Sequence, residues 1–179
     1  MPSKVFKVKF LLTLSFLIML EGCVAHFEKP TTGQRAKIRF IQSHFSSSAV
    51  RYIEGDTCTS STANKQVGII GGWGGSESQH RSGMPGRDQW DFQKLLETDI
   101  RAGQKTIMGI EHLEVTTSFK YECNLYFSFM PIDGAMYEAE FIIQNNKCML
   151  PVYRITVDSH GNLKRVPEAS ARPESLSCT

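Results

Sequence analysis

The stretch YECNLYFSFMPIDGAMYEAEFII, residues 121–143, decides the fold. Tyr121, Cys123, Leu125, Phe127 and Phe129 fall on one side of an extended segment, with Asn124, Tyr126 and Ser128 on the other. Side chains alternate across a strand with a period of two, so this pattern reads as a strand with one buried face. Pro131-Ile132-Asp133-Gly134 supplies turn residues. Beyond them Tyr137, Ala139, Phe141 and Ile143 alternate with Glu138 and Glu140, which predicts a second strand of the same kind.

The same grammar extends in both directions. Downstream, Asn145-Asn146 turns the chain, Lys147 to Val157 reads as one more strand bent at Pro151, and Asp158-Ser159-His160-Gly161 turns it again. Upstream, Arg35 to Ile41 sets Ala36, Ile38 and Phe40 against Arg35, Lys37 and Arg39, while Ala49–Ile53 and Gln66–Ile70 are short apolar pieces. Asp88 to Ile100 permits a helical stripe capped by Asp88. Residues 98–107 nevertheless read as two strands around Ala102-Gly103, so strand is expected from about Glu97 onward. Short strands at this spacing predict an all-β fold, an antiparallel β-sandwich of immunoglobulin or transthyretin type. Its one long interruption is a glycine-rich loop: residues 68–86 hold seven of the 14 glycines. No Gly-Lys-Ser/Thr follows those glycines, so a phosphate-binding loop is not indicated. Trp73 and Met84 within the loop are the candidate binding-loop residues.

The N-terminus has a different character. Lys4, Lys7 and Lys9 precede the apolar run Phe10–Leu20, which is eleven residues long. That is too short to span about 30 Å of hydrocarbon as a helix, but it has the length of a signal-peptide core. Leu20-Glu21-Gly22-Cys23 follows, and it resembles the lipobox of bacterial lipoproteins, with Glu21 departing from the usual small or uncharged residue. The resemblance implies lipid on the Cys23 sulfur and cleavage before it. The expected organisation is a signal peptide over 1–22, a lipidated N-terminus and polar tether over 23–33, a sandwich over 34–168 and a tail over 169–179. Removing Lys4, Lys7 and Lys9 from the 20 Lys and Arg, and Glu21 from the 18 Asp and Glu, leaves 17 of each. A formally neutral body argues against a nucleic-acid partner, which would need a clustered basic excess.

Five cysteines in an exported chain leave one over. With Cys23 lipidated, Cys58, Cys123, Cys148 and Cys178 form an even set suited to an oxidising compartment. Three pairings of four cysteines exist. Cys123 and Cys148 fall on core faces of neighbouring or facing strands, which favours their pairing; Cys58 with Cys178 would then tie the tail to the body. A zinc site lacks the C-x-x-C spacing that would seed it, and no metal or other cofactor is expected. His26, His44, His80, His112 and His160 are scattered and read as solvated. Arg35, Lys37 and Arg39, like Glu138 with Glu140, read as wet strand faces. No G-x-S-x-G or other nucleophile frame is present, so catalytic residues are not expected.

Several pieces in order carry a wider resemblance. They are Pro30-x-x-Gly33-x-x-Ala36-x-Ile38-Arg39-Phe40 after the lipobox, Gly83-Met84-Pro85, Ile100 to Gln104, and Cys123-x3-Phe127-x-Phe129-x-Pro131-x2-Gly134-x2-Tyr137-Glu138 with Cys148 downstream. Together they resemble small envelope lipoproteins of Gram-negative proteobacteria. The resemblance implies a compact β-sandwich, a lipid anchor and no established enzymatic activity. Val24, in place of the aspartate that marks inner-membrane retention, implies the outer membrane, facing the periplasm. The expected function is a non-catalytic structural or binding module with an envelope protein as partner. The alternatives are an accessory lipoprotein of a secretion or transport machine and, less favoured, an envelope hydrolase.

Overall fold

A computed structural model of the chain describes residues 25–44, 46–54, 64–72, 82–86 and 95–176. Among them there is no helix. The strands are β1 (Arg35–Gln42), β2 (Ser48–Ile53), β3 (Asn64–Ile70), β4 (Leu95–Arg101), β5 (Thr106–Val115), β6 (Lys120–Phe129), β7 (Met136–Gln144), β8 (Lys147–Met149), β9 (Val152–Val157), β10 (Leu163–Pro167) and β11 (Arg172–Glu174). They form two sheets. One runs β10-β9-β7-β1-β4, with β8 also on β7; the other runs β11-β6-β5-β2-β3. Every strand pairing is antiparallel except β1 with β7, which run parallel.

The two sheets close a sandwich over one apolar core. Ile38 and Phe40 of β1, Tyr137 and Phe141 of β7 and Leu96 of β4 meet Val50 of β2, Ile110 of β5 and Phe127 of β6. Ile38, Phe40, Phe127, Tyr137 and Phe141 are residues that alternation assigned inward, because a strand sends every second side chain to the same face. Full burial of one Phe or Ile side chain stabilises by roughly 1.5–3 kcal/mol, so this layer supplies most of the favourable free energy.

Local signals act where expected. Asn145 and Asn146 both take positive φ, 51° and 57°, and make the two-residue turn between β7 and β8. That left-handed pair matches the twist of a tight hairpin, and asparagine tolerates it. Pro151 interrupts the returning strand without shifting it: Ile142 faces Met149 on one side of the break and Ala139 faces Val152 on the other. Residues 172–174, expected in the tail, add β11 to the edge of β6, so hydrogen bonds tie the C-terminal segment to the body there.

Cys123 of β6 and Cys148 of β8 form a disulfide that crosses from one sheet to the other, with Cα atoms 6.3 Å apart and a sequence separation of 25. In the chain-entropy view a loop of this length contributes roughly 3 kcal/mol by constraining the unfolded chain. Cys23, Cys58 and Cys178 lie outside the described residues.

Gly109 marks the tightest strand contact. Its position on β5 faces Tyr126 of β6, and a methyl there would overlap the Leu125 carbonyl oxygen and the Tyr126 ring. Gly109→Ala should therefore lower stability by about 1–3 kcal/mol. Chemical denaturation measures it, and an unmoved midpoint would show that the strand pair can part to admit the methyl.

Candidate functional site

The outward face of the β1 sheet departs from the wet surface that its pattern predicts. Arg39 stands directly opposite Glu97 of β4 on one side and Glu138 of β7 on the other. Arg39 is only 2% exposed, Glu97 0% and Glu138 3%. The solvated reading of Arg39 and Glu138 is thus corrected. Arg35 remains exposed, and Lys37 is half-buried with its ammonium donating to the Ser82 carbonyl.

Burying a charge in an apolar setting costs several kcal/mol unless it is paired and hydrogen-bonded. Arg39 and Glu97 meet that demand in full. Arg39 Nε and Nη2 donate to Glu97 Oε1 at 3.0 and 2.8 Å, Nη1 donates to Glu138 Oε2 at 3.3 Å, and Nη2 also donates to the Pro85 carbonyl at 2.8 Å. The second Glu97 oxygen accepts the backbone N–H groups of Ser82 at 3.0 Å and Met84 at 3.3 Å. The covering segment 82–86 is thereby fastened to the charges that it hides. Met84 is 3% exposed and acts as its apolar anchor rather than as exposed surface. Trp73, the other residue of the expected binding loop, lies outside the described residues.

Glu138 is held less completely. Arg165 of β10 brings Nε to 2.9 Å from Glu138 Oε1, but the N–H is not directed at that oxygen, which accepts no hydrogen bond. Arg165 instead donates Nη2 to Glu140 at 2.5 Å and lies over the Tyr153 ring at 4.2 Å. Burial pushes the Glu138 carboxyl above the usual carboxylate range, against the opposing pull of Arg165 and Arg39. A cavity of about 580 Å³ opens beside this carboxylate, with Arg39, Glu138 and Arg165 on its polar side and Pro85, Ile155, Val157 and Leu163 on its apolar side. A few fixed polar groups against an apolar wall is the usual make-up of a small-ligand site.

The chain matches no family model, no curated protein and no solved structure. The site is accordingly defined by its own geometry.

Two further polar clusters are structural. His112 is 1% exposed on the core side of β5, Nδ1 lies 3.1 Å from Ser48 Oγ, and its ring packs 5.1 Å from His44 and 5.5 Å from Phe141. Burial pushes this imidazole below its usual range. The reading of the histidines as solvated is corrected for His112, whose β5 position carries it into the core, whereas His160 is exposed in its turn. On the outer face of the other sheet Glu111 accepts from Arg51 Nε at 2.6 Å, from Asn64 at 3.3 Å and from the Tyr126 hydroxyl. Among the described residues no three His, Cys, Asp or Glu converge as a metal site would require.

Alternation alone could not reveal the Arg39 row. The available signal was a row of outward charges on each of three strands, Arg35, Lys37 and Arg39, Glu97, Asp99 and Arg101, and Glu138 and Glu140, and only the register shows which of them meet. Two consequences follow from the unequal bonding of the two glutamates. Glu97→Gln removes a charge that four N–H groups address, and should destabilise the fold by about 3–5 kcal/mol. Glu138→Gln should cost clearly less at neutral pH. Urea denaturation of both variants measures the contrast, and equal losses would contradict it.

The pH dependence has a definite sign. A carboxyl whose folded pKa is raised binds its proton more tightly folded than unfolded, so its contribution is present at low pH and is lost as pH rises through the folded value. Wild-type stability should therefore gain on that of Glu138→Gln as pH falls from neutral toward about 4.5, the ordinary carboxyl value. Thermal melts across that window test this, and a constant difference would rule out a raised Glu138.

Proposed function

We propose that this chain is an exported lipoprotein, held in the cell envelope by lipid on Cys23, whose sandwich is a non-catalytic binding module. The observation that carries the binding role is the cavity beside Glu138. Its charged groups are locked by mutual ion pairs, an arrangement suited to orienting a ligand rather than to shuttling protons. The apolar wall from β9 and β10 offers burial, and the partly exposed Arg165 guanidinium offers one charged contact. The anchor reading rests on the basic residues, the short apolar run and Leu20-Glu21-Gly22-Cys23; placement at the outer membrane, facing the periplasm, rests on Val24.

Cys23→Ser should move the protein from the membrane to the soluble envelope fraction, and an unchanged membrane fraction would overturn the anchor. For the binding role, Leu163→Arg places a long charged side chain at the half-buried cavity wall. It should abolish retention of whatever envelope component co-purifies with the wild type while leaving the melting temperature close to wild type. Identical co-purification by a folded variant would remove the cavity from consideration.

A further inference from the structure

The segment 25–33, expected as a polar tether, does not hang free at its start. Gln66 N–H of β3 donates to the Ala25 carbonyl at 2.8 Å, and Phe27 N–H donates to the Gln66 carbonyl at 2.9 Å. Phe27 then packs its ring 4.7 Å from that of Tyr52. The chain is thus fixed to the sandwich from Ala25, two residues after Cys23. Two residues span at most about 7 Å. A lipid on Cys23 leaves the domain almost no slack, so one particular part of its surface must meet the bilayer.

The attachment point identifies that part. Ala25 docks at the beginning of β3, where Asn64 faces Ile53 at the end of β2. At the same end β1 begins and β4 finishes, with Arg35 opposite Arg101. Phe27, Pro30, Tyr52, Lys65 and Arg101 line one shallow cavity there, joining the docked segment to the strand ends. The turn between β6 and β7 belongs to this end as well: Gly103 N–H donates to the Pro131 carbonyl and Gly134 N–H to the Arg35 carbonyl, both at 2.8 Å. From that turn Met130 and Ile132 project into solvent, 49% and 52% exposed.

We propose that this end of the sandwich rests on the membrane, with Met130 and Ile132 entering the boundary between headgroups and acyl chains. The inference rests on the Cys23 lipid anchor and adds an orientation to it. Charge is not the driving term. Arg35, Arg101 and Lys65 share this end with Asp133 and Glu54, and Lys65 is already bonded to Glu54. The contact is therefore apolar, and it takes zwitterionic lipid as readily as anionic lipid.

A second exposed apolar group provides the control. Leu113, Val115 and Phe119 stand out at the tip of the β5–β6 hairpin, at 55%, 67% and 54% exposure. They lie at the far end of β5, about 30 Å from its start at the rise of an extended strand. In the proposed orientation they point away from the bilayer.

The test uses the lipidated full-length protein in phosphatidylcholine vesicles. Ile132→Trp and Phe119→Trp place a reporter at each end, with the two native tryptophans as a common background. Brominated phosphatidylcholine should quench the signal added by Ile132→Trp several-fold more strongly than that added by Phe119→Trp, and raised salt should leave the difference intact. If the protein floats with the vesicles but the Ile132→Trp signal is unquenched, or is quenched no more than that of Phe119→Trp, the orientation is wrong while the anchor stands. If the protein fails to float with the vesicles, the anchor reading fails and the orientation falls with it.

Discussion

Arg39 is the charge around which the β1 sheet is arranged. Its guanidinium joins β4 and β7 across β1, and it sits on the parallel pairing of β1 with β7. A buried arginine without partners would be untenable, and Glu97 and Glu138 supply those partners from the two strands beside β1. The same requirement explains the covering segment. Glu97 has two oxygens; Arg39 occupies one, and the Ser82 and Met84 amides occupy the other. A replacement by apolar residues of similar volume could leave stability unchanged. The row therefore contributes specificity of arrangement, fixing which strand lies beside β1 and where residues 82–86 settle.

The two faces of the sandwich divide the labour. Inside, aromatic and branched side chains from both sheets provide non-directional attraction, and the Cys123–Cys148 bridge limits the freedom of the unfolded chain. Outside, directional groups decide detail: the Arg39 row on one sheet, and Glu111 with Arg51, Asn64 and Tyr126 on the other. Glu111 contrasts with Glu138. Burial raises both carboxyls, but the Tyr126 hydroxyl and the Arg51 guanidinium hydrogen-bond Glu111 well enough to bring it below its usual range. Glu138 has one oxygen without a hydrogen bond and stays above it. The less satisfied carboxylate is the one beside the cavity, where the Arg165 guanidinium covers its second oxygen.

The docked segment after Cys23 links this architecture to the proposed setting. A long flexible linker would let the sandwich sample many orientations over a membrane. Here the backbone bonds of Ala25 and Phe27 to Gln66 remove that freedom, and the cavity beside Glu138 runs along the outer sheet face as far as the β9–β10 turn at Gly161 and Asn162. Val157 and that turn lie beyond the Met136–Ile155 pair, at the end where β1 begins, so the cavity reaches toward the proposed membrane contact.

The sequence by itself determined the strands over 35–41 and 121–143 and their inward faces. The alternation in residues 121–143, the turn at Asn145-Asn146 and the break at Pro151 are local, because period-two patterning and backbone preferences act over a few residues. It also favoured the Cys123–Cys148 pairing, since both cysteines fall on inward positions. Tertiary structure decided what the outward faces meet. Arg39, Glu97 and Glu138 are 41 to 99 residues apart in sequence, and only the order β7-β1-β4 brings them into one row. His112 became a core residue for the same reason: its neighbours Ser48, His44 and Phe141 come from distant segments. Burial of a polar group depends on what covers it, and cover is a property of the assembled sheets rather than of any single strand.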